Sequence, residues 1–305
     1  MVNSGQVKQV TTITVSGATN SATYTITVNG VDVQYTADSS TSTTEIAAGL
    51  AAAVPASAET LRVGTECTYF PFNYREADGT LKGYDVDVAN EVGQRIGAEI
   101  EFVCQEWDGM IPALLANKFD LIVASMSITD SRKEKIDFSA PYRISVGRFV
   151  GRKDRGFDLF DADGKAKPAA FQGLKVGVER ASTYDNWIQA KLPGADVVHY
   201  DGNERLFLDL ESGRVDLIMT NPMKAYLSYL SKDDGKGFEF VSPALAEEEF
   251  FGIGVGIGLR KDNPELLGRL NDAIKTLIEN GSLDRYSHKY FPFAIHPEKW
   301  GGLPQ

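Results

Sequence analysis

The chain has 305 residues, enough for two or three domains with sizeable cores, and an apolar content of 43%, ordinary for a globular protein. Its 42 acidic against 31 basic side chains leave a formal charge of -11, which argues against nucleic acid and anionic membranes as partners, since both need clustered Lys and Arg. The three histidines, His199, His288 and His296, stand far apart and none pairs with a cysteine at ligand spacing, so no metal or cofactor is expected.

Residues 1 to 55 are crowded with Thr and Ser and nearly devoid of Lys and Arg, the mark of a separate module. A strand is expected near Val10 to Val15. Tyr24, Ile26 and Val28 then alternate with Thr, Asn29-Gly30 supplies a two-residue turn, and Val31, Val33 and Tyr35 alternate again, which predicts a β-hairpin. Ser42-Thr43-Thr44-Glu45 fits a capping box opening an Ala-rich helix through Ala53, stopped by Pro55. Ala56-Ser57-Ala58 has the pattern of a signal-peptidase site, but no cationic stretch precedes it. No working export signal is therefore expected, and the module is read as a fusion partner.

From Thr60 onward, short β-branched strands alternate with helical patterns, as in a wound α/β sheet. Strands are expected at 61–65, 100–104, 119–124, 146–152, 175–179, 196–200, 215–220 and 251–260. Period-3.6 patterns predict helices at 84–97, 108–117, 131–136, 183–192, 203–212, 222–230, 263–280 and 282–290. Cys67 and Cys104 fall at the ends of two strands expected to be neighbours, so a bridge is conceivable, and two free buried thiols are the alternative.

The most informative stretch follows the apolar run Asp120-Leu121-Ile122-Val123. It reads Ala124-Ser125-Met126-Ser127-Ile128-Thr129-Asp130-Ser131-Arg132. A buried carboxylate needs several donors converging on two oxygens; a guanidinium fork supplies two in a plane, and hydroxyls and strand-end amides supply others. The plainer reading is a strand-to-helix turn with Thr129 or Asp130 as N-cap and Arg132 solvated. The order of the surrounding blocks favours the carboxylate seat. Upstream lie Leu61-Arg62-Val63-Gly64-Thr65-Glu66-Cys67-Thr68-Tyr69-Phe70-Pro71-Phe72 and Gly83-Tyr84-Asp85-Val86-Asp87-Val88. Trp107-Asp108-Gly109-Met110-Ile111-Pro112-Ala113-Leu114, Asp137-Phe138-Ser139-Ala140-Pro141-Tyr142, Gly213-Arg214-Val215-Asp216 and Gly256-Ile257-Gly258-Leu259-Arg260-Lys261 complete the set. Over about residues 59 to 297 the chain resembles the polar amino-acid binding proteins of bacterial ABC importers.

That resemblance implies a two-lobed periplasmic-binding-protein type II α/β fold, with lobe one at 59–146 and 253–297 and lobe two at 147–250. The hinge would lie near Ser145–Gly147 and Glu248–Gly252. It implies a monomer in the periplasm that binds a small amino acid or opine and meets a membrane permease. By the same resemblance Glu66 receives a basic ligand side chain, Tyr69 and Trp107 sandwich it, and Ser125, Ser127 and Arg132 hold the ligand carboxylate. Ala124 contributes a carbonyl, and Ser182 and Thr183 close over the carboxylate from lobe two. Asn221 stands where many members carry an aspartate for the ligand ammonium, a departure that forfeits an ion pair and suits an arginine-derived opine with a substituted amine. Glu179 and Arg180 could reinforce a guanidinium site and meet a second carboxylate, or pair with each other at the rim. Arginine-like ligands come first, opines close behind, then histidine or lysine. The rivals are a cyclohexadienyl-dehydratase-like enzyme, with Glu66 or Glu179 as general acid, and a histidine or neutral amino-acid receptor.

Overall fold

A computed structural model describes residues 22–28, 31–38, 42–53, 59–261 and 263–297. The chain divides into two units, Met1–Ala58 and Glu59–Gln305. In the first, strands β1 (Thr23–Val28) and β2 (Val31–Thr36) pair antiparallel, with Tyr24 opposite Tyr35 and Thr23 opposite Thr36. Helix α1 (Thr43–Ala53) follows, and the Ser42 hydroxyl accepts the Glu45 amide at 3.2 Å, one half of the expected capping box. Ile46 and Ala37 are buried against Tyr24 and Tyr35. The Val10–Val15 strand, the Asn29-Gly30 turn and Ala56-Ser57-Ala58 lie outside the described residues.

The second unit opens with β3 (Glu59–Thr65), a small meander of β4 (Thr68–Tyr69), β5 (Asn73–Arg75) and β6 (Leu81–Lys82), helix α2 (Tyr84–Ile96) and β7 (Ala98–Cys104). Then come α3 (Met110–Leu115), β8 (Leu121–Ile122), α4 (Asp130–Lys133), β9 (Asp137–Phe138) and β10 (Arg148–Arg152). Next are β11 (Lys175–Glu179), α5 (Thr183–Lys191), β12 (Asp196–Tyr200), α6 (Glu204–Glu211), β13 (Leu217–Thr220) and α7 (Pro222–Ala225). The described chain closes with β14 (Phe238–Phe240), α8 (Glu248–Phe251), β15 (Gly258–Leu259), α9 (Pro264–Glu279) and α10 (Ser282–Tyr290).

Two five-stranded sheets result, ordered β7-β3-β8-β15-β9 and β12-β11-β13-β10-β14. In each, the second strand, β3 or β11, pairs parallel with both neighbours, and antiparallel pairing adds the last two strands of each order to complete the sheet. The chain passes between the sheets twice, through 139–147 and 241–257. Parallel strands buried on both faces read as continuous apolar runs, which is why Leu121–Ile122 and Leu217–Met219 were legible as strands, although the first is shorter than the 119–124 expected. The sequence also predicts a strand at 251–260, because Ile253, Val255, Ile257 and Leu259 alternate with glycine. Only Gly258–Leu259 forms one. Gly252 (φ 66) and Gly254 (φ 138) break the ladder, and a Cβ at Gly252 would lie 1.9 Å from the Ile128 carbonyl. Helix 131–136 is likewise shorter than expected, ending at Lys133.

Candidate functional site

Each sheet ends its parallel strands at one cavity, the position where open α/β sheets place ligands. From the first sheet it is lined by Glu66 and Tyr69 beyond β3, Trp107 beyond β7, and Ala124, Ser125, Ser127 and Arg132 beyond β8. Glu179, Ser182, Thr183 and Tyr184 line it from β11 and the start of α5, and Arg143 and Ser145 from the first passage between sheets. Every residue singled out in the sequence lines this cavity except Arg180 and Asn221. Arg143, Ser145 and Tyr184 were not foreseen.

Arg132 is only 9% exposed despite standing in the first turn of a short helix. Its Nη1 donates to the Ser127 carbonyl at 3.0 Å, Nη2 reaches the Ala181 carbonyl at 3.5 Å, and its guanidinium lies 5.2 Å from the Trp107 ring centre. Burial pulls its pKa down to about 10, so it stays cationic at neutral pH. The solvated first-turn alternative is thereby excluded. Ser125 adopts a left-handed φ of 55 and donates its hydroxyl to Asp85 at 2.8 Å. Asp85 is fully enclosed and also accepts Asn73 Nδ2 and the Tyr142 hydroxyl, each at 2.9 Å. Such a network holds a strained serine in place. Burial raises the Asp85 pKa, and Arg143 opposes that rise.

On the second sheet, Ser182 caps α5 by accepting the Asp185 amide at 3.1 Å, and Ala181 beside it holds a left-handed φ of 57. Asp185 steadies this turn, accepting the Ala181 amide at 3.2 Å while its other oxygen meets His199 Nε2 at 2.9 Å. The Ala181 carbonyl, turned inward, also accepts Trp107 Nε1 at 3.4 Å, a bond joining the two halves of the cavity wall. The free amides of a helix N-terminus favour an anion here.

The cavity lining also holds two buried carboxyl groups. Glu66 is 7% exposed and accepts the Thr68 hydroxyl at 3.2 Å; burial pushes its pKa up to about 7, with Lys224 opposing the rise. Glu179 is 5% exposed, and its Oε1 has no hydrogen-bond partner among the described residues. Burial first, and Glu66 second, push its pKa up. Arg180 turns away to Asp201 at 3.3 Å; it does not line this cavity and does not pair with Glu179. Asn221 is buried as the cap of α7, its Oδ1 accepting the Met223 and Lys224 amides at 2.9 and 3.3 Å. Arg143, 4% exposed, lies 4.3 Å from the Phe72 ring centre; its Nε has no hydrogen-bond partner among the described residues, while Nη1 donates to the Ile144 carbonyl at 3.2 Å. Cys67 and Cys104 are disulfide-bonded, which resolves the open question of their state and ties the loop carrying Glu66 to the end of β7.

The sequence profile of the bacterial extracellular solute-binding proteins, family 3, matches residues 61–293. An L-arginine-binding protein of Pseudomonas aeruginosa is 38% identical over 238 residues, 77% of this chain and 89% of its own. Among solved structures, a Salmonella typhimurium periplasmic binding protein described for high arginine specificity superposes with a TM-score of 0.68 at 30% identity, over 77% of this chain and all of the other. An ancestral amino-acid-binding protein, described as a precursor of cyclohexadienyl dehydratase, gives 0.64 at 31% identity, over 76% of this chain and 95% of its own. The fold is thus the type II periplasmic-binding-protein fold, and the chain belongs to the bacterial extracellular solute-binding proteins of family 3.

Proposed function

We propose that the chain binds a basic amino acid, arginine first, or its opine derivative, and releases it unchanged to a membrane permease. What supports this most is the charge content of one cavity, whose lining combines a buried guanidinium and helix-end amides with two buried carboxylates. An α-carboxylate fits the first set and a guanidinium or ammonium the second. The arginine-binding relatives add weight. In this reading the lobes are 59–146 with 253–297, and 147–250, hinged near Ser145–Gly147 and Glu248–Gly252. Ligand contacts from both lobes exist only in the shut form, so binding shifts a pre-existing open and closed equilibrium. The chain acts as a monomer in the periplasm.

The opine option gains a specific anchor. Arg143 brings a second guanidinium to the cavity, its Nε unpartnered among the described residues and suited to a second carboxylate, the role Arg180 does not fill. The enzymatic rival is supported by the raised pKa of Glu66 and Glu179, as a general acid requires. Against it, a cationic ligand group beside them returns both to the ionised form. Calorimetric titration of the ligand-stripped protein with arginine, lysine, ornithine, histidine, octopine and nopaline separates the readings. Tight binding within this panel is expected; silence across it together with prephenate turnover would establish the enzyme instead.

A further inference from the structure

Lys224 is a residue the sequence reading passed over. It stands on α7, beyond β13 of the second sheet, yet its ammonium lies 4.6 Å from the ring centre of Tyr69, which belongs to the first sheet's side of the cavity. It is 3% exposed. Burial pulls its pKa down, and Glu66 and Glu179, one from each sheet, oppose that fall; no direct ion pair to either forms among the described residues, and the ammonium sits on the ring face. An ammonium buried this far costs several kcal/mol unless carboxylates compensate it, and two neighbouring carboxylates cannot both ionise without a cation between them.

We propose that Lys224 is a built-in counter-cation of the Glu66 and Glu179 pair, a positioning residue that leaves the pair with room for one ligand positive charge. Ionised, the three groups carry one net negative charge, which a single guanidinium or ammonium neutralises and a neutral side chain does not. This rests on the basic-ligand reading above and refines it: the site selects side chains of single positive charge by charge count rather than by shape. The other charged groups facing the cluster are Asp85 and Glu106 from the first sheet and Glu204 at the start of α6 from the second. Asp85 has Arg143 as its own counter-charge, while Glu106 and Glu204 are exposed and screened by solvent. The phenols of Tyr69 and Tyr184 are pushed up by burial and stay neutral.

Arginine and its neutral isostere citrulline test the idea, titrated against the full chain and the variants Lys224→Met and Lys224→Arg between about pH 6 and 9. In the unchanged protein arginine is preferred, and the preference grows as pH rises through the Glu66 range. Lys224→Met removes the positive charge that favours ionisation of the pair, so the midpoint of that growth moves up by about one pH unit and the preference at neutral pH falls about tenfold. Lys224→Arg restores both. A Lys224→Met protein with lowered Tm but an unchanged midpoint and preference would overturn the proposal, leaving Lys224 a packing residue. If Lys224→Met does not fold, nitrogen-detected NMR of the lysine ammonium in the arginine-bound protein decides: a charged Lys224 is expected, a neutral amine overturns it. Failure of arginine, lysine and ornithine to bind the unchanged chain would instead remove the basic-ligand reading itself, and this proposal with it.

Discussion

Arg132 is the buried cation on which the proposed carboxylate seat depends. Truncating one partner of a buried charge pair costs about 2–5 kcal/mol, so Arg132→Ala should abolish calorimetrically detectable binding of every carboxylate ligand, while Glu66→Gln weakens arginine and spares citrulline. The pH dependence follows from sign. Glu66 must be ionised to pair with a ligand cation, and burial holds its pKa near 7 rather than its ordinary 4.5, so arginine affinity should rise as pH increases through about 7 and level off above. The same raised pKa gives the ligand-free shut form stability that is present below about pH 4.5 and lost as pH rises through about 7. Thermal melts of the ligand-free protein should therefore show a fall in Tm over that window, smaller in Glu66→Gln. Arg132 was legible because Ser125, Ser127 and the arginine lie within eight consecutive positions after one strand. Arg143, Asp85 and Lys224 were not, because their partners Phe72, Tyr142 and Tyr69 come from distant segments that only the fold assembles.

Elements were readable where burial imposes a pattern. The two helices α9 and α10 and the long strands β3 and β7 match their expected spans within a residue or two, since one face or both faces of each are apolar. The meander β4 to β6 and the bends at Ser125 and Ala181 were not readable, because they are set by tertiary hydrogen bonds such as Asn73 Oδ1 accepting the Glu66 and Cys67 amides at 3.1 and 3.0 Å. Two changes probe this supporting layer. The Cys67–Cys104 bridge closes a separation of 37 residues, and replacing both by Ser should cost about 2–4 kcal/mol in denaturant titration. Gly83 holds φ 130, and a Cβ there would lie 2.1 Å from the Phe72 carbonyl, so Gly83→Ala should displace the start of α2 and with it Asp85 and Ser125. Loss of arginine affinity exceeding the loss of stability would mark that route.

At the scale of the whole molecule, function resides in the second unit. Every cavity residue lies between Glu66 and Tyr184, and the family match begins at residue 61. Removing residues 1–58 should leave arginine affinity within about twofold, since every cavity residue belongs to the second unit. The second unit as a whole does one thing in this account: it shuts around a cationic amino acid without altering it. Titration of the ligand-stripped chain with arginine, followed by recovery of the ligand for mass spectrometry, tests that claim most directly. One site of near-micromolar affinity, about -8 kcal/mol, with arginine recovered intact and no heat from the Arg132→Ala protein, is the predicted result. Absence of heat with arginine and with every other cationic amino acid, or recovery of a chemically changed ligand, would contradict it.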